Sequence, residues 1–280
     1  MRRLLPLIIV LAAAAICAAL FAYRGDLRDA YWKWRRGPVP PAVTRDEALR
    51  GRNPAPRTPT ATADGGTRVI FDGGRKKPAA ADAAATAETR DARPPSFNLK
   101  VPFVPQAPFK IWDELHEETC EEASMIMLKA YLDGRDEMPL EEMEKKLQAV
   151  VEFETKAYGD YKSTDAERTA GIMRDFLGMH GAAAVPIGSI DDVKREIAAG
   201  RPVLLPAAGK LLKNPNFKNG GPLYHMLLAK GYTATTVVTN DPGTRLGADY
   251  AYADDVLWNA IHDWNGGDVE RGGKLMIVVR

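Results

Sequence analysis

The sequence predicts an α+β domain over residues 97–280. Helix-start signals and apolar residues at 3.6-residue spacing come first, and strand-like apolar runs dominate after about residue 200. Helices and strands do not alternate as βαβ units would require, so the sheet is expected to be antiparallel.

Each element has its own signal. Leu4 to Tyr23 is an apolar run of about 20 residues, the length of a membrane-spanning helix, preceded by Arg2 and Arg3. It predicts a signal anchor over 1–23, with a cleaved signal peptide as the alternative. An anchor with its N-terminus inside puts the C-terminal domain in the cell envelope. Against that orientation, Arg24, Arg28, Lys33, Arg35 and Arg36 follow the span, and the positive-inside rule would retain them. Residues 24–96 are read as a juxtamembrane stretch and a disordered linker: from Gly37 to about Pro95 the chain is rich in Pro, Ala, Thr, Arg and Asp and poor in large apolar side chains. The linker's one apolar island is Thr67-Arg-Val-Ile-Phe-Asp72.

The domain opens with a strand-like stretch, Leu99 to Val104. Thr119 and Glu122 have capping-box spacing ahead of a helix running from Cys120 to about Leu132. Pro139 opens a helix through Met143 and Leu147 to Val151. Thr164-Asp-Ala-Glu167 reads as a second capping box, with Thr164 as the cap of a helix that reaches Leu177. Ala183 to Ile187 reads as a strand. Ser189 caps a helix that Gly200 ends. Pro202–Ala207, His225–Thr233 and Thr235–Asn240 read as strands, the last two as a hairpin. Asp254 starts a helix through Trp258, and Lys274–Val279 is a final strand.

Bulk composition removes several function classes. A chain of 280 residues with 45% hydrophobic content builds a sizeable core, and a net charge of +1 argues against a nucleic-acid binder. Two cysteines exclude a disulfide scaffold, and Cys17 sits in the apolar run, leaving Cys120 a free thiol. His116, His180, His225 and His262 lack metal-ligand spacing, so neither a metal nor another cofactor is expected.

Cys120 at the first position of a helix meets unpaired N–H groups and the positive end of the dipole, which favour a nucleophilic thiolate. Its neighbours Glu117, Glu118, Glu121 and Glu122 oppose that unless they point away. A cysteine nucleophile needs a base, a group that orients it, and oxyanion donors. His225 opens a strand after the turn-rich Asn219-Gly-Gly-Pro222, and Asp241 follows the next strand. Paired as a hairpin, these strands set His225 and Asp241 nearly opposite each other, a Cys-His-Asp arrangement of papain-like type. Gln106 is the candidate side-chain oxyanion donor, beside the Cys120 N–H. Tyr232, Tyr250, Tyr252, Trp258 and Trp264 are candidates to line a groove or pack the core, and His262-Asp263 reads as surface.

Leu99-Lys-Val-Pro-Phe-Val-Pro-Gln106, the Cys120 helix, Gly220-Gly-Pro-Leu-Tyr-His225-Met with Gly231-Tyr232, and Asn240-Asp-Pro-Gly-Thr244 together resemble the C39-like peptidase domain. The resemblance covers about residues 97–280. It implies a papain-like cysteine peptidase fold, helices packed on an antiparallel sheet, acting on peptide or protein substrates. It further implies Cys120 as nucleophile, His225 as base, Asp241 as its orienting residue and Gln106 as oxyanion donor. Glu121-Glu122 stands where many members have Gly-Pro after the cysteine, and the gap from Gln106 to Cys120 is longer than in the bacteriocin-processing members. The competing classes are a catalytically silent papain-like binding domain in the cell envelope and another Cys-His-Asp amide hydrolase or acyltransferase.

Overall fold

The computed structural model describes residues 5–24, 37–50 and 93–280, with 26–27, 30–31 and 34 between them. Most of the expected linker, including the Thr67–Asp72 island, lies outside the described residues. Helix α1 spans Leu5–Ala22, 18 residues without an acidic residue in its first turn or a basic one in its last. At 1.5 Å per residue it rises about 27 Å, short of the roughly 30 Å of bilayer hydrocarbon. Among the described residues, no helix is long and apolar enough to cross a membrane.

Part of the sequence assigned to the linker is docked on the domain. Val43 forms a parallel bridge to Leu99, with Val43 N–H donating to Asn98 O at 2.9 Å and Lys100 N–H to Val43 O at 2.7 Å. Helix α2, Arg45–Arg50, starts in a capping box: the Thr44 N–H and hydroxyl both reach Glu47 Oε2 at 2.8 Å. Its Ala48 is buried beside Gly200. Polar composition averaged over the segment conceals two apolar residues, Val43 and Ala48, and one cap.

The sheet is antiparallel, as expected, in the order β2 (Ala182–Pro186), β7 (Leu275–Val279), β3 (Val203–Ala208), β4 (Tyr224–Tyr232), β5 (Thr236–Asn240), β6 (Tyr250–Ala253). The short β1, Phe97–Asn98, pairs with the end of β4, beyond the reach of β3. The expected strand Leu99–Val104 does not form. Pro102 and Pro105 remove ladder donors, and the Val101 and Pro102 carbonyls instead accept from the Asn240 side chain at 3.1 and 3.4 Å. Strand β6 had no signal of its own, being four residues of alternating Tyr and Ala.

The helices are α3 (Cys120–Leu132), α4 (Leu140–Tyr158), α5 (Ala166–Asp175), α6 (Ile190–Ala198) and α7 (Asp254–Ala260). Every residue of α3 except Lys129 and Leu132 is buried, the pattern of a helix enclosed by the core rather than lying on it. It packs between α4 and strands β3 and β4. Ser124 Oγ donates to Met226 O at 3.3 Å and Tyr131 OH to Gly200 O at 2.9 Å. These contacts set the N-terminus of α3 against the first residues of β4. Two caps differ from expectation: Asp165, not Thr164, caps α5 through Arg168 N–H, and Thr119 makes no cap bond to α3.

Candidate active site

Strand β4 begins with Tyr224 and His225, and His225 pairs with Ala207 of β3, so its backbone is fixed on the inner part of the sheet. The β4–β5 ladder carries a bulge between Ala229 and Gly231 and ends at Leu228↔Asn240. Asp241 therefore sits one residue past the last pair, diagonal to His225 rather than opposite it. The side chains close the gap: His225 Nε2 and Asp241 Oδ1 are 2.8 Å apart, and both residues are buried.

Asp241 is the most heavily supported side chain of the site. Oδ1 also accepts from Gly243 N–H at 3.0 Å, and Oδ2 accepts from Tyr252 OH at 2.5 Å and Asn214 Nδ2 at 3.1 Å. Burial alone would raise its pKa, but the His225 ring and these donors outweigh it and hold the carboxyl below its usual range. The same contact, with burial leading, pushes the Tyr252 hydroxyl well above its ordinary value. Phe217 meets the His225 ring edge-on at 5.3 Å. A Cβ at Gly243 would lie 2.8 Å from His225 Cε1, so only glycine lets the loop close over the ring. Asn214 had no signal in the sequence, and Tyr252 was legible only as a groove or core aromatic.

Cys120 is the first residue of α3, as the spacing required. The electrostatics run against the expected thiolate. Burial first, then the charge and hydrogen bond of Glu121, push the thiol well above its ordinary pKa. Of the four acidic neighbours, Glu117 is exposed and Glu118 half-buried, whereas Glu121 and Glu122 are buried. Glu121 Oε2 accepts from Cys120 Sγ at 2.9 Å.

Glu122 does not complete the expected capping box. It faces Glu154 of α4, and no oxygen of either carboxyl meets a protein donor. A proton shared by the two carboxyls accounts for this arrangement. Burial and the neighbouring carboxylate push Glu122 well above the carboxylate range, and burial raises Glu154. Thr119 instead donates its hydroxyl to Gln106 O at 3.2 Å.

Gln106 lines the same cleft but its amide is engaged: Nε2 donates to His116 O at 2.7 Å, and Oε1 has no partner. His116 is itself strapped to Asp113 (2.7 Å) and Glu144 (3.0 Å), which hold its pKa above normal despite burial. His262 and Asp263 bond backbone groups, Gly272 O and Ala166 N respectively. Cys120, Glu121, His225 and Gln106 share one cleft of about 1070 Å³, walled by Phe103, Trp112, Leu140, Phe217 and Leu223.

A sequence profile described as the Peptidase C39 like family matches residues 98–265. No curated protein matches the chain. A solved structure described as a C39-like peptidase from Bacillus anthracis is similar with a TM-score of 0.41 at 15% identity, covering 64% of this chain and 94% of that one.

The Glu122–Glu154 pair makes stability depend on pH. Both pKa values are raised on folding, so the stability they contribute is complete below the unfolded value near 4.5 and is lost as pH rises through their folded values. His116, also raised, acts in the same direction above its ordinary 6.5. The melting temperature should fall between pH 5 and pH 8 by at least about 2–4 °C, the equivalent of roughly 1 kcal/mol in a domain of this size. Glu122→Gln should flatten that fall. A melting temperature constant over this range contradicts the shared-proton assignment.

Proposed function

The chain belongs to the peptidase C39-like family, and on that premise we propose that it is a papain-like cysteine peptidase. In this reading Cys120 is the nucleophile, His225 the general base, Asp241 the residue that orients the base, and Gln106 an oxyanion donor. The observation that carries it is the buried 2.8 Å contact between His225 Nε2 and Asp241 Oδ1, with His225 lining the cleft that Cys120 also lines.

Asp241 accepts the Nε2 proton, which fixes the tautomer and leaves the Nδ1 lone pair as the base. Nδ1 takes the thiol proton as Sγ attacks the scissile carbonyl. A C–S bond forms and the carbonyl electron pair moves to oxygen. The oxyanion then returns its pair, the C–N bond breaks, and the imidazolium gives its proton to the departing amine. Water, activated by the same nitrogen, hydrolyses the thioester and restores the thiol. Gln106 has a second amide hydrogen for the oxyanion and donates it without leaving His116 O; the Cys120 N–H, unpaired at the helix start, is the other donor. The apolar cleft walls suit an extended peptide segment.

The thiol that burial and then Glu121 push towards its neutral form, and the engaged Gln106 amide, favour one second reading, a non-hydrolytic papain-like domain that binds peptides in the cell envelope.

We also propose that the chain is held at a membrane by its N-terminal segment, with the catalytic domain on the extracytoplasmic side. The support is the uncharged apolar run Leu4–Tyr23 and the Pro- and Ala-rich stretch that separates it from the domain. Protease treatment of membranes from cells producing the full chain should release a domain that starts after residue 50, leaving an N-terminal piece resistant to alkaline extraction. Full-length chain in the soluble fraction, or first cuts inside 98–265, contradicts the tether.

Catalysis is tested by hydrolysis of a peptide pool by the full-length protein. Cys120→Ala and His225→Ala should each lose about 10⁴-fold or more, and the double variant should be barely worse than either, because the residues act as a unit. Asp241→Asn should lose comparably or less, by spoiling the tautomer. His180→Ala and His262→Ala should stay near wild type. Full activity in His225→Ala overturns the base assignment. Undiminished cleavage in Cys120→Ala overturns the nucleophile assignment, and no cleavage by the folded wild type favours the binding reading.

A further inference from the structure

Glu121 follows the cysteine directly, and consecutive helical residues do not face each other. At the open first turn of α3 its carboxyl nevertheless folds back onto the nucleophile. Oε2 accepts from Cys120 Sγ at 2.9 Å, and Oε1 accepts from Thr164 N–H at 3.1 Å. The side chain is 1% exposed and borders the cleft. Its titratable surroundings come from every packed element. They are Cys120 and Glu122 on α3, Glu154 on α4, and Tyr224 and His225 on β4. Asp165 and Asp263 lie behind Tyr224. Thr164 offers a backbone donor.

We propose that Glu121 is a further catalytic residue: as a carboxylic acid it donates a hydrogen bond to the Cys120 thiolate, and as a carboxylate it holds the thiol neutral and closes the site. This rests on the reading of Cys120 as nucleophile and His225 as base. The proton balance is simple. The neutral set Cys–SH, Glu–COOH and His has two exchangeable protons at Sγ and Oε2. Transfer of the Sγ proton to His225 Nδ1 gives thiolate, carboxylic acid and imidazolium with the same total. The thiolate then accepts the Oε2–H bond, so the negative charge is stabilised where it forms. Removing one proton leaves a carboxylate 2.9 Å from the sulfur, and a second negative charge there is opposed by like-charge repulsion in a buried site. The competent state therefore disappears as Glu121 ionises. Burial raises Glu121 to about 7, so closure falls near neutrality rather than in the ordinary carboxylate range. The chain would hydrolyse peptides best in a mildly acidic setting.

The test is the pH profile of Cys120 alkylation by iodoacetamide in the full-length protein, read by mass spectrometry, alongside the profile for peptide hydrolysis. In the wild type the alkylation rate should fall as pH rises through about 7. Glu121→Gln keeps a hydrogen-bond donor but cannot ionise, and its alkaline limb should move up by at least one pH unit. A residue that only supports the fold changes the height of the profile without moving the limb. The same limb in both proteins overturns the proposal. If Glu121→Gln does not fold, the wild type decides: a rate that climbs steadily through pH 7 towards the ordinary thiol range overturns it. Because alkylation needs no substrate, a shifted limb with no peptide cleaved supports Glu121 and counts against the peptidase reading. Cleavage with an unshifted limb does the reverse.

Discussion

The site depends on one buried carboxylate. Asp241 lies in the interior with its negative charge retained, and an unpaired charge there costs several kcal/mol. Four donors offset that cost: His225, Tyr252, Asn214 and the Gly243 N–H. They come from β4, from β6, from the segment after β3 and from the turn after β5. The need to satisfy a single side chain thus ties these parts of the sheet together. The same requirement fixes the neighbouring glycine, since a side chain at Gly243 would occupy the space of the His225 ring.

The interior around α3 balances charge differently. Its first turn buries two carboxyls of its own, and α4 contributes a third. No cation among their hydrogen-bond partners neutralises them, so protons do, and burial raises all three pKa values. This places groups that titrate near neutrality directly behind a cysteine. Cys120 still starts the helix, but whenever Glu121 is ionised a carboxylate 2.9 Å from the sulfur outweighs the partial charge of a helix dipole.

Much of the fold was legible because periodicity and caps are local. The start of α3 at Cys120, the Ser189 cap of α6, the β4–β5 hairpin and the antiparallel sheet all follow from spacing and turn residues. Misreadings arose where a distant group took over a local one. Asn240 captures the carbonyls of the stretch read as a first strand, and Gln106 O captures the Thr119 hydroxyl read as a cap. Val43 finds Leu99 across a segment whose composition reads as linker. Of the candidate site, His225 and Asp241 were legible because a hairpin brings its two ends together. The Asn214 and Tyr252 supports were not, since nothing near them in sequence marks a partner. The inward fold of Glu121 was hidden because helical geometry points successive side chains apart. The direction of the Gln106 amide has no sequence correlate at all.

The central claim is that Cys120 attacks a carbonyl with His225 as its base. Rapid acid quench of the full-length protein mixed with an activated peptide ester, followed by peptide mapping, tests it most directly. The account predicts one acyl group, carried on the Cys120 peptide and absent in His225→Ala. Acylation at another residue, or equal acylation of Cys120 with and without His225, would contradict it.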